Sequence, residues 1–351
     1  MKELIIDGIV VSNDSDCYVT AEIGHNHQGN LDTCMEMFRI ARECGAKAVK
    51  LQKRDNRALY VKALYNQPYD HRNSYGKTYG EHREFLEFGK NEYLELKRYA
   101  KELQVAFICT PFDFSSVDFL SEIELSAYKI ASGDLKNTPL QKRIAELGKP
   151  VFLSTGGGTI DDVQRAYDTI MPINSQLCIM QCTASYPCEP DEMNLRVIGT
   201  YHERFPDIVV GLSDHQNGIS MSLVAYSLGA RVFEKHFTLN HAWKGTDHAF
   251  SLEPIGLKKM IRDLLNVRKA LGDGVKSLHS SETAPLYKMG KKLVAAHDLE
   301  KGRELRIQDI TIKSPNDGLP PYELENIIGK ILTRAIQTDE NISFQDLSKP
   351  E

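Results

Sequence analysis

His215 and His236 occupy equivalent places, because each follows a short apolar run and an apolar segment of helical length, residues 219–228, separates the two runs. This order predicts strand, helix, strand, with an imidazole at the carboxyl end of each strand. Ligands of parallel α/β folds bind at that end of the sheet. Two imidazoles there, with Asp214 and Glu234 beside them, could hold a divalent metal ion and leave positions open for substrate. The alternative is that each histidine is a hydrogen-bonded residue at the end of its strand.

Lys50 and Lys129 each lie inside an apolar segment, 48–51 and 128–131, where an unpaired ammonium group is costly to bury. Such a lysine is retained when an anion offsets the cost, which favours an anionic ligand such as a phosphate or phosphoenol ester over a structural salt bridge. A Schiff-base lysine is the rival role. The other predicted strand ends supply mostly oxygen and amide groups, from Glu22, Gln52, Thr110, Ser132, Asp134, Ser154, Thr183, Ser185, Tyr186 and Ser213.

Alternating strand and helix patterns must position these side chains. Eight strands are predicted, at 18–24, 48–52, 105–112, 128–132, 151–155 and 177–182 and in the two segments before the histidines. Glycine and proline residues separate these strand–helix units, so the predicted fold class is α/β, a (β/α)8 TIM barrel. A doubly wound sheet is the competitor, but residues 24–29 have the wrong glycine spacing for a dinucleotide-binding turn. The long connection 54–90 is predicted to form a lid or a wall of the site.

The chain of 351 residues suits one barrel with a small additional domain. We assign residues 1–16 to an N-terminal hairpin, 17–271 to the barrel, 272–286 to a polar linker and 287–351 to a small domain, where the periodicity changes. An apolar core of that size gives only marginal stability to a domain on its own, so we expect the small domain to dock on another surface.

Composition excludes several classes of function. The net charge of −5 gives no electrostatic reason to expect nucleic acid or an anionic membrane as a partner, so local cations must meet any anionic substrate. There is neither an apolar run long enough to span a bilayer nor the pattern of a signal peptide. The seven cysteines do not show zinc-site spacing, and several lie in apolar runs, as buried free thiols do. We therefore expect a cytoplasmic protein.

Five motifs together resemble the sialic acid (N-acetylneuraminate) synthase family. The motifs are Ala21-Glu22-Ile23-Gly24, Tyr128-Lys129-Ile130-Ala131-Ser132-Gly133, Leu153-Ser154-Thr155-Gly156, Gly211-Leu212-Ser213-Asp214-His215 and Glu234-Lys235-His236-Phe237-Thr238. The tail from about Pro285 is similar to the antifreeze-like (SAF) domain of that family. The resemblance implies a nonulosonate synthase that condenses phosphoenolpyruvate with an open-chain N-acyl hexosamine, giving a nine-carbon 2-keto acid and phosphate, and it implies a domain-swapped homodimer.

The resemblance also implies roles for individual residues. His215 and His236 would hold a divalent cation, Mn²⁺ or Mg²⁺. Phosphoenolpyruvate would be bound by Lys50, Thr110, Lys129, Ser132, Ser154 and Ser213. Acid, base or sugar-hydroxyl roles would fall to Glu22, Asp134 and Asp247, while Phe112 and Tyr186 would shape the wall for the sugar. The metal would polarise the sugar aldehyde, and water captured at the second carbon of the donor would lead to C–O cleavage.

The departures from the family pattern lie on the acceptor side. Asp134 stands where the family usually has Glu, and Ala184 where the sialic acid enzymes have Asn. The small domain has Ser314 in place of the family's Arg. The acceptor could therefore be N-acetylmannosamine or a diacetamido-dideoxyhexose, and the 54–90 connection could supply replacement contacts. Two other functions remain open: a pyruvate-dependent Schiff-base aldolase, and a non-catalytic carbohydrate-binding barrel in polysaccharide assembly.

Overall fold

The computed structural model describes residues 3–349, which divide into two compact units between Gly272 and Asp273. The first unit begins with an antiparallel hairpin, β1 (Glu3–Ile6) and β2 (Ile9–Ser12), whose turn is Asp7-Gly8. Both turn residues have positive φ, as the tight two-residue turn requires. Leu4, Ile6 and Val11 of the hairpin pack against the first residues of the following strands. The hairpin therefore closes the amino-terminal end of the sheet.

Eight parallel strands form a closed barrel in which β10 pairs with both β9 and β3. The strands are β3 (Tyr18–Gly24), β4 (Ala48–Lys53), β5 (Ala106–Pro111), β6 (Ala127–Ile130), β7 (Val151–Ser154), β8 (Leu177–Cys182), β9 (Val209–Asp214) and β10 (Val232–His236). Nearly every strand residue is buried, because one face fills the barrel and helices cover the other. The predicted TIM barrel is confirmed.

Helices connect consecutive strands and cover the outside of the barrel. They are α1 (Leu31–Glu43), α2 (Asn56–Leu59), α3 (Lys62–Tyr65), α4 (Tyr79–Phe85), α5 (Lys90–Glu102), α6 (Phe114–Ile123), α7 (Thr138–Ala145), α8 (Ile160–Ile170), α9 (Val197–Arg204), α10 (Ser220–Ser227) and α11 (Pro254–Leu271). The long connection 54–90 is thus not a structureless loop, because it contains α2, α3 and α4. Thr78 and Glu81 form a capping box that begins α4.

The second unit has its own small apolar core, made of residues that include Leu293, Leu305, Ile327 and Ile342. Its elements are α12 (Thr283–Met289), β11 (Lys292–Ala295), β12 (Ile310–Lys313), α13 (Leu324–Ile327), β13 (Ile331–Leu332) and β14 (Leu347–Ser348). The strands pair as two antiparallel ribbons, β11 with β12 and β13 with β14. Among the described helices of both units, none combines the length and the apolar character that a membrane span needs.

Candidate active site

A polar cavity of about 500 Å³ lies at the carboxyl ends of the barrel strands. Every residue to which the family resemblance gives a role, except Asp134, lines it, whereas the strand-end residues Thr183, Ser185 and Asp214 do not. Its lining consists of Glu22, Lys50, Gln52, Arg54, Arg83, Thr110, Phe112, Lys129, Ala131, Ser132, Gly133, Ser154, Cys182, Ala184, Tyr186, Ser213, His215, Glu234, His236, Thr246 and Asp247. A larger cavity of about 820 Å³ is lined by residues such as Lys47, Leu94 and Lys101, and contains none of the predicted site residues. We therefore place the site in the polar cavity.

Two buried ion pairs form the floor of the cavity. Lys50 Nζ lies 2.7 Å from Glu22 Oε2, and Lys129 Nζ lies 2.8 Å from Glu234 Oε2. Burial alone would raise the pKa of Glu234, but Lys129 and Lys50 outweigh it and lower that pKa to about 2. Burial raises the pKa of Glu22 in spite of Lys50. The lysines are thus offset by carboxylates, as in the salt-bridge alternative, and both also line the cavity.

Hydroxyl groups surround the lysines. Thr110 Oγ1 accepts a hydrogen bond from Lys50 Nζ at 3.0 Å, and Ser213 Oγ lies 3.3 Å from Glu234 Oε1, to which it donates. Ser132 Oγ accepts from the backbone N–H of Gly156 at 3.0 Å. Ser154 Oγ is buried and, among the described residues, has no hydrogen-bond partner. A buried hydroxyl without a partner is costly, so a ligand group that bonds to it is favoured.

The two imidazoles also line the cavity and lie together, with ring centroids 5.3 Å apart. His215 Nδ1 lies 2.8 Å from the carbonyl oxygen of Thr183, to which it donates, so its Nε2 keeps a free lone pair. His236 Nδ1 is buried and has no hydrogen-bond partner in the described part of the chain. Burial lowers the pKa of His236 to about 3, which keeps the ring neutral, as a metal ligand must be.

This donor set fits a divalent cation that retains open positions. Two imidazole nitrogens suit Mn²⁺ or Mg²⁺ only when water or substrate oxygens complete the coordination. Within residues 3–349, no group of three or more His, Cys, Asp or Glu side chains is arranged to hold a metal ion. The remaining ligands would therefore have to come from solvent or substrate.

Side chains alternate along each strand, and this alternation separates residues that are adjacent in sequence. Asp214 and Lys235 face away from the cavity and form a buried ion pair, with Lys235 Nζ 2.7 Å from Asp214 Oδ2. Asp214, which the sequence places beside the histidines, is therefore outside the site, whereas Glu234 points inward. Asp247 reaches the cavity from the segment after β10, and its Oδ2 lies 3.7 Å from His236 Nδ1.

Asp134 follows β6 in a short 3-10 turn, and its carboxylate accepts a hydrogen bond from Asn137 Nδ2 at 2.9 Å. It lies beside the cavity without lining it. Phe112 and Tyr186 do line it: the guanidinium of Arg54 stacks on the Phe112 ring at 3.8 Å, and the Tyr186 ring packs against that of His215 at 4.2 Å.

Gln52, Arg54, Arg83, Cys182 and Glu234 also line the cavity. From the sequence, Glu234 and Gln52 were named only as residues at strand ends, and Arg83 only as part of the 54–90 connection that could supply acceptor contacts. Period-two alternation could have found two of these, because Gln52 continues the inward face of Lys50 and Glu234 continues that of His236. Gln52 Nε2 donates to Glu22 Oε1 at 2.6 Å. Arg83 belongs to α4, and no strand pattern points to it.

A closed (β/α)8 barrel with lysines, carboxylates, hydroxyls and a pair of imidazoles at the carboxyl ends of its strands defines a barrel enzyme. Residues 37–276 match the NeuB family and residues 292–348 match the SAF domain. The chain belongs to the NeuB family of sialic and related nonulosonic acid synthases, and it is a transferase of that family with a C-terminal SAF domain.

Three similar proteins illustrate the relationship. The N-acetylneuraminate-9-phosphate synthase of Homo sapiens is 39% identical over 95% of this chain and 93% of its own length. The N,N'-diacetyllegionaminic acid synthase of Campylobacter jejuni is 35% identical over 92% of this chain and 98% of its own. The crystal structure of the sialic acid synthetase of Leptospira borgpetersenii superimposes with a TM-score of 0.70 at 29% identity, covering 81% of this chain and 95% of that one.

Proposed function

We propose that this enzyme condenses phosphoenolpyruvate with an open-chain N-acyl hexosamine to give a nine-carbon 2-keto acid and phosphate. The observation that carries the proposal is that two buried lysines, the hydroxyl groups of one threonine and three serines, and a pair of imidazoles all line a single cavity. The names of the relatives support the product class, since they are synthases of N-acetylneuraminate 9-phosphate, legionaminic acid and pseudaminic acid.

The donor binds at the floor of the cavity in this proposal. Lys50 and Lys129 contact its phosphate and carboxylate, and the hydroxyl groups of Thr110, Ser132, Ser154 and Ser213 complete the hydrogen bonds. Glu22 and Glu234 hold the two ammonium groups in place, and Ser154 Oγ gains the partner that it lacks.

His215 and His236 hold the divalent cation, Mn²⁺ or Mg²⁺, in this proposal. When bound there, the cation supplies Lewis acidity to the sugar aldehyde. Asp247, beside His236, binds a hydroxyl group of the sugar, and Phe112 and Tyr186 form the walls of the acceptor site.

The methylene carbon of the donor attacks the aldehyde carbon and forms the new C–C bond. The π electrons of the aldehyde move to its oxygen, which takes up a proton and becomes a hydroxyl group, while cationic character develops at the donor's second carbon. Glu22 takes the proton of a water molecule that adds to that carbon; its carboxylate, raised in pKa by burial, lies beside Lys50 at the cavity floor. The tetrahedral intermediate then expels phosphate by cleavage of the C–O bond. Lys50 and Lys129 stabilise the charge on the departing phosphate. Asp134 stays a candidate only for an indirect role, because it does not line the cavity.

The ion pairs disfavour a Schiff-base aldolase. Imine formation requires a neutral amine. Burial alone would lower the pKa of Lys50, but Glu22 and Glu234 outweigh it, raise that pKa and keep the amine protonated. Borohydride treatment with pyruvate should therefore leave no adduct on Lys50 or Lys129. A non-catalytic barrel has no need of two buried Lys–Glu pairs in the same cavity as an imidazole pair.

Product analysis with labelled donor tests the proposal. Phosphoenolpyruvate carrying ¹⁸O in its bridging oxygen is incubated with the protein, Mn²⁺ and a panel of N-acyl hexosamines. We expect a product whose mass is that of acceptor plus pyruvate, and phosphate that retains the label because the C–O bond breaks. Unlabelled phosphate, or no product with any acceptor, would exclude the proposed reaction.

All seven cysteines are free thiols, which supports the further proposal that the protein is cytoplasmic.

A further inference from the structure

A third buried lysine of the barrel has no part in the proposed reaction. Lys50 and Lys129 line the cavity, whereas Lys235 does not, and only 1% of its side chain is exposed. Its ammonium group forms an ion pair with Asp214, whose side chain is equally buried. Replacing a buried ion pair by well-packed uncharged side chains is often neutral or stabilising, so the stability of the fold is a weak reason for this pair. The neighbours of the pair indicate another role.

The pair lies where the ladder between β9 and β10 ends. Asp214 and Lys235 are directly opposite each other in that ladder, and each directly precedes one of the two histidines. His236 is still inside β10, where it pairs with Glu22 of β3. His215 lies one residue beyond the end of β9, so strand pairing does not fix its position. The two imidazoles therefore differ in what holds them, and His215 needs contacts of another kind.

Lys235 supplies such contacts from the side that faces away from the cavity. Its Nζ donates to Asp214 Oδ2 at 2.7 Å and also to the backbone carbonyl oxygen of Gln216. The backbone N–H of Gln216 in turn donates to Asp214 Oδ1 at 2.8 Å, which closes a short turn around His215. One ammonium group thus holds the residues on both sides of His215, and it belongs to the residue that precedes His236.

Other contacts of His215 come from the segment that follows β8. Its Nδ1 donates to the carbonyl oxygen of Thr183 at 2.8 Å, and its own carbonyl oxygen accepts from the backbone N–H of Cys188 at 3.1 Å. These contacts orient the ring, but they do not relate it to β10. The link through Lys235 does so, because it ties the turn to the strand that carries His236.

We infer that Lys235 is a positioning residue of the metal site. It holds the turn formed by residues 214–216 and so keeps His215 at the distance from His236 that a shared cation requires. The inference rests on the proposed function, in which the two imidazoles bind Mn²⁺ or Mg²⁺, and it adds a residue outside the cavity. Removing a group that orients a metal-binding histidine typically costs about 10- to 100-fold in metal affinity. The groups proposed to bind the donor are untouched, so the loss should fall on the metal.

Calorimetric titration of Mn²⁺ into the complete, metal-free protein tests the inference with the double variant Asp214→Asn/Lys235→Met. This variant leaves no unpaired buried charge, and its asparagine oxygen can still accept from the N–H of Gln216, so the link to β10 is what is lost. We expect the dissociation constant for Mn²⁺ to rise at least about 10-fold while circular dichroism shows a folded protein.

Kinetics provide a readout that a merely structural role would not move. The Mn²⁺ concentration that gives half-maximal phosphate release should rise by a similar factor in the double variant. KM for phosphoenolpyruvate at saturating Mn²⁺ should stay unchanged, because excess metal compensates for a weakened site but does not repair a distorted barrel.

The matched control is the double variant Lys53→Met/Glu87→Gln. It too removes an ion pair at the carboxyl end of a barrel strand, since Lys53 Nζ at the end of β4 lies 2.8 Å from Glu87 Oε2. Neither of these two residues lines the cavity or adjoins His215 or His236 in the chain. The control should leave the affinity for Mn²⁺ unchanged, and an equal loss there would overturn the inference.

Unchanged Mn²⁺ affinity in the folded double variant at positions 214 and 235 would overturn the inference and leave the proposed function intact. If that variant does not fold, Asp214→Asn alone decides, because it keeps the shape of the side chain and weakens its contact with the ammonium group. Its affinity for Mn²⁺ should fall at least about 3-fold, as expected when a charge-assisted hydrogen bond becomes a neutral one, and an unchanged value would overturn the inference too. Absence of Mn²⁺ binding by the wild-type protein would overturn the metal site of the proposed function, and the inference with it.

Discussion

The charge balance of the cavity depends on single residues, above all on Glu234, which touches both lysines: its Oε2 lies 2.8 Å from Lys129 Nζ and its Oε1 lies 3.6 Å from Lys50 Nζ. The lysines and histidines of the site were predictable from sequence, because such a side chain in or directly after an apolar strand is conspicuous. Arg83 was predicted only as one of several residues of the 54–90 connection that could supply acceptor contacts, and Arg54 was not singled out, since arginines in a polar connection look like ordinary surface residues. What marks them is the absence of a carboxylate partner among the described residues, which only the structure reveals.

Glu234→Gln should destabilise the barrel by about 3 kcal/mol at neutral pH, because it leaves two buried ammonium groups with one carboxylate. The pKa of Glu234, lowered to about 2 in the folded protein, makes this contribution depend on pH. A lowered carboxyl pKa stabilises the fold fully above the ordinary value near 4.5, and the effect is lost as pH falls through about 2. The difference in unfolding free energy between wild type and variant should therefore shrink between pH 4.5 and pH 2. Urea denaturation at several pH values measures this difference in unfolding free energy. A difference that grows toward low pH would refute the lowered pKa of Glu234.

His236→Ala should lower the affinity for Mn²⁺ by at least about 10-fold, because half of the imidazole pair is removed. Calorimetric titration of Mn²⁺ into metal-free protein measures the change. His71→Ala is the control, since His71 is exposed and does not line the cavity. Equal Mn²⁺ affinity in wild type and His236→Ala would remove the imidazole pair from the metal site.

At the scale of elements, the barrel strands and most helices follow from periodicity, with boundaries within a few residues. Helix α6 was not predicted, although Asp113 caps it and Val117 and Leu120 bury its inner face. Helices α2, α3 and α4 were missed because they are short and carry little apolar periodicity. Tertiary contacts stabilise them instead, such as the Tyr60 and Tyr79 rings, whose centroids lie 5.2 Å apart.

The pairing of β9 with β10 sets the spacing of the two imidazoles, and Gly211 permits it. A Cβ atom at Gly211 would lie 2.7 Å from the carbonyl oxygen of Val232 in the neighbouring strand. Gly211→Ala should therefore force the strands apart, destabilise the barrel by about 1–3 kcal/mol and reduce activity. Thermal unfolding and phosphate release measure both effects.

Gly199→Ala is the matched control for this substitution. Gly199 lies within α9, and a Cβ atom at this position would have no described neighbour within 4 Å, so alanine should stabilise the helix by about 1 kcal/mol. If Gly211→Ala proved as stable and as active as wild type, β9 and β10 would not be the elements that fix the imidazole pair.

At the scale of the whole molecule, each of the two units has a core of its own, so residues 1–272 should fold without the second unit. The isolated first unit is expected to unfold cooperatively on heating, as followed by circular dichroism. A truncated chain that lacks a cooperative transition would contradict this prediction. Proteolysis near the unit boundary of the complete chain provides an independent check.

The homodimer stays a prediction, which follows from the family resemblance and from the marginal size of the small core. Analytical ultracentrifugation of the complete chain should give twice the chain mass of 39.6 kDa. A fully active monomer would contradict it. Sequence patterns do not specify which surfaces meet, because an interface between copies depends on shape as well as on composition.

The most direct test of the account is acceptor-dependent release of phosphate from phosphoenolpyruvate by protein freed of metal with EDTA and then reloaded. We predict no release by the metal-free protein, restoration by Mn²⁺ or Mg²⁺, and no release in either state when the sugar is omitted. Full release without metal, or release that is independent of the sugar, would contradict the assignment of the imidazole pair and the lysine floor to a single condensation reaction.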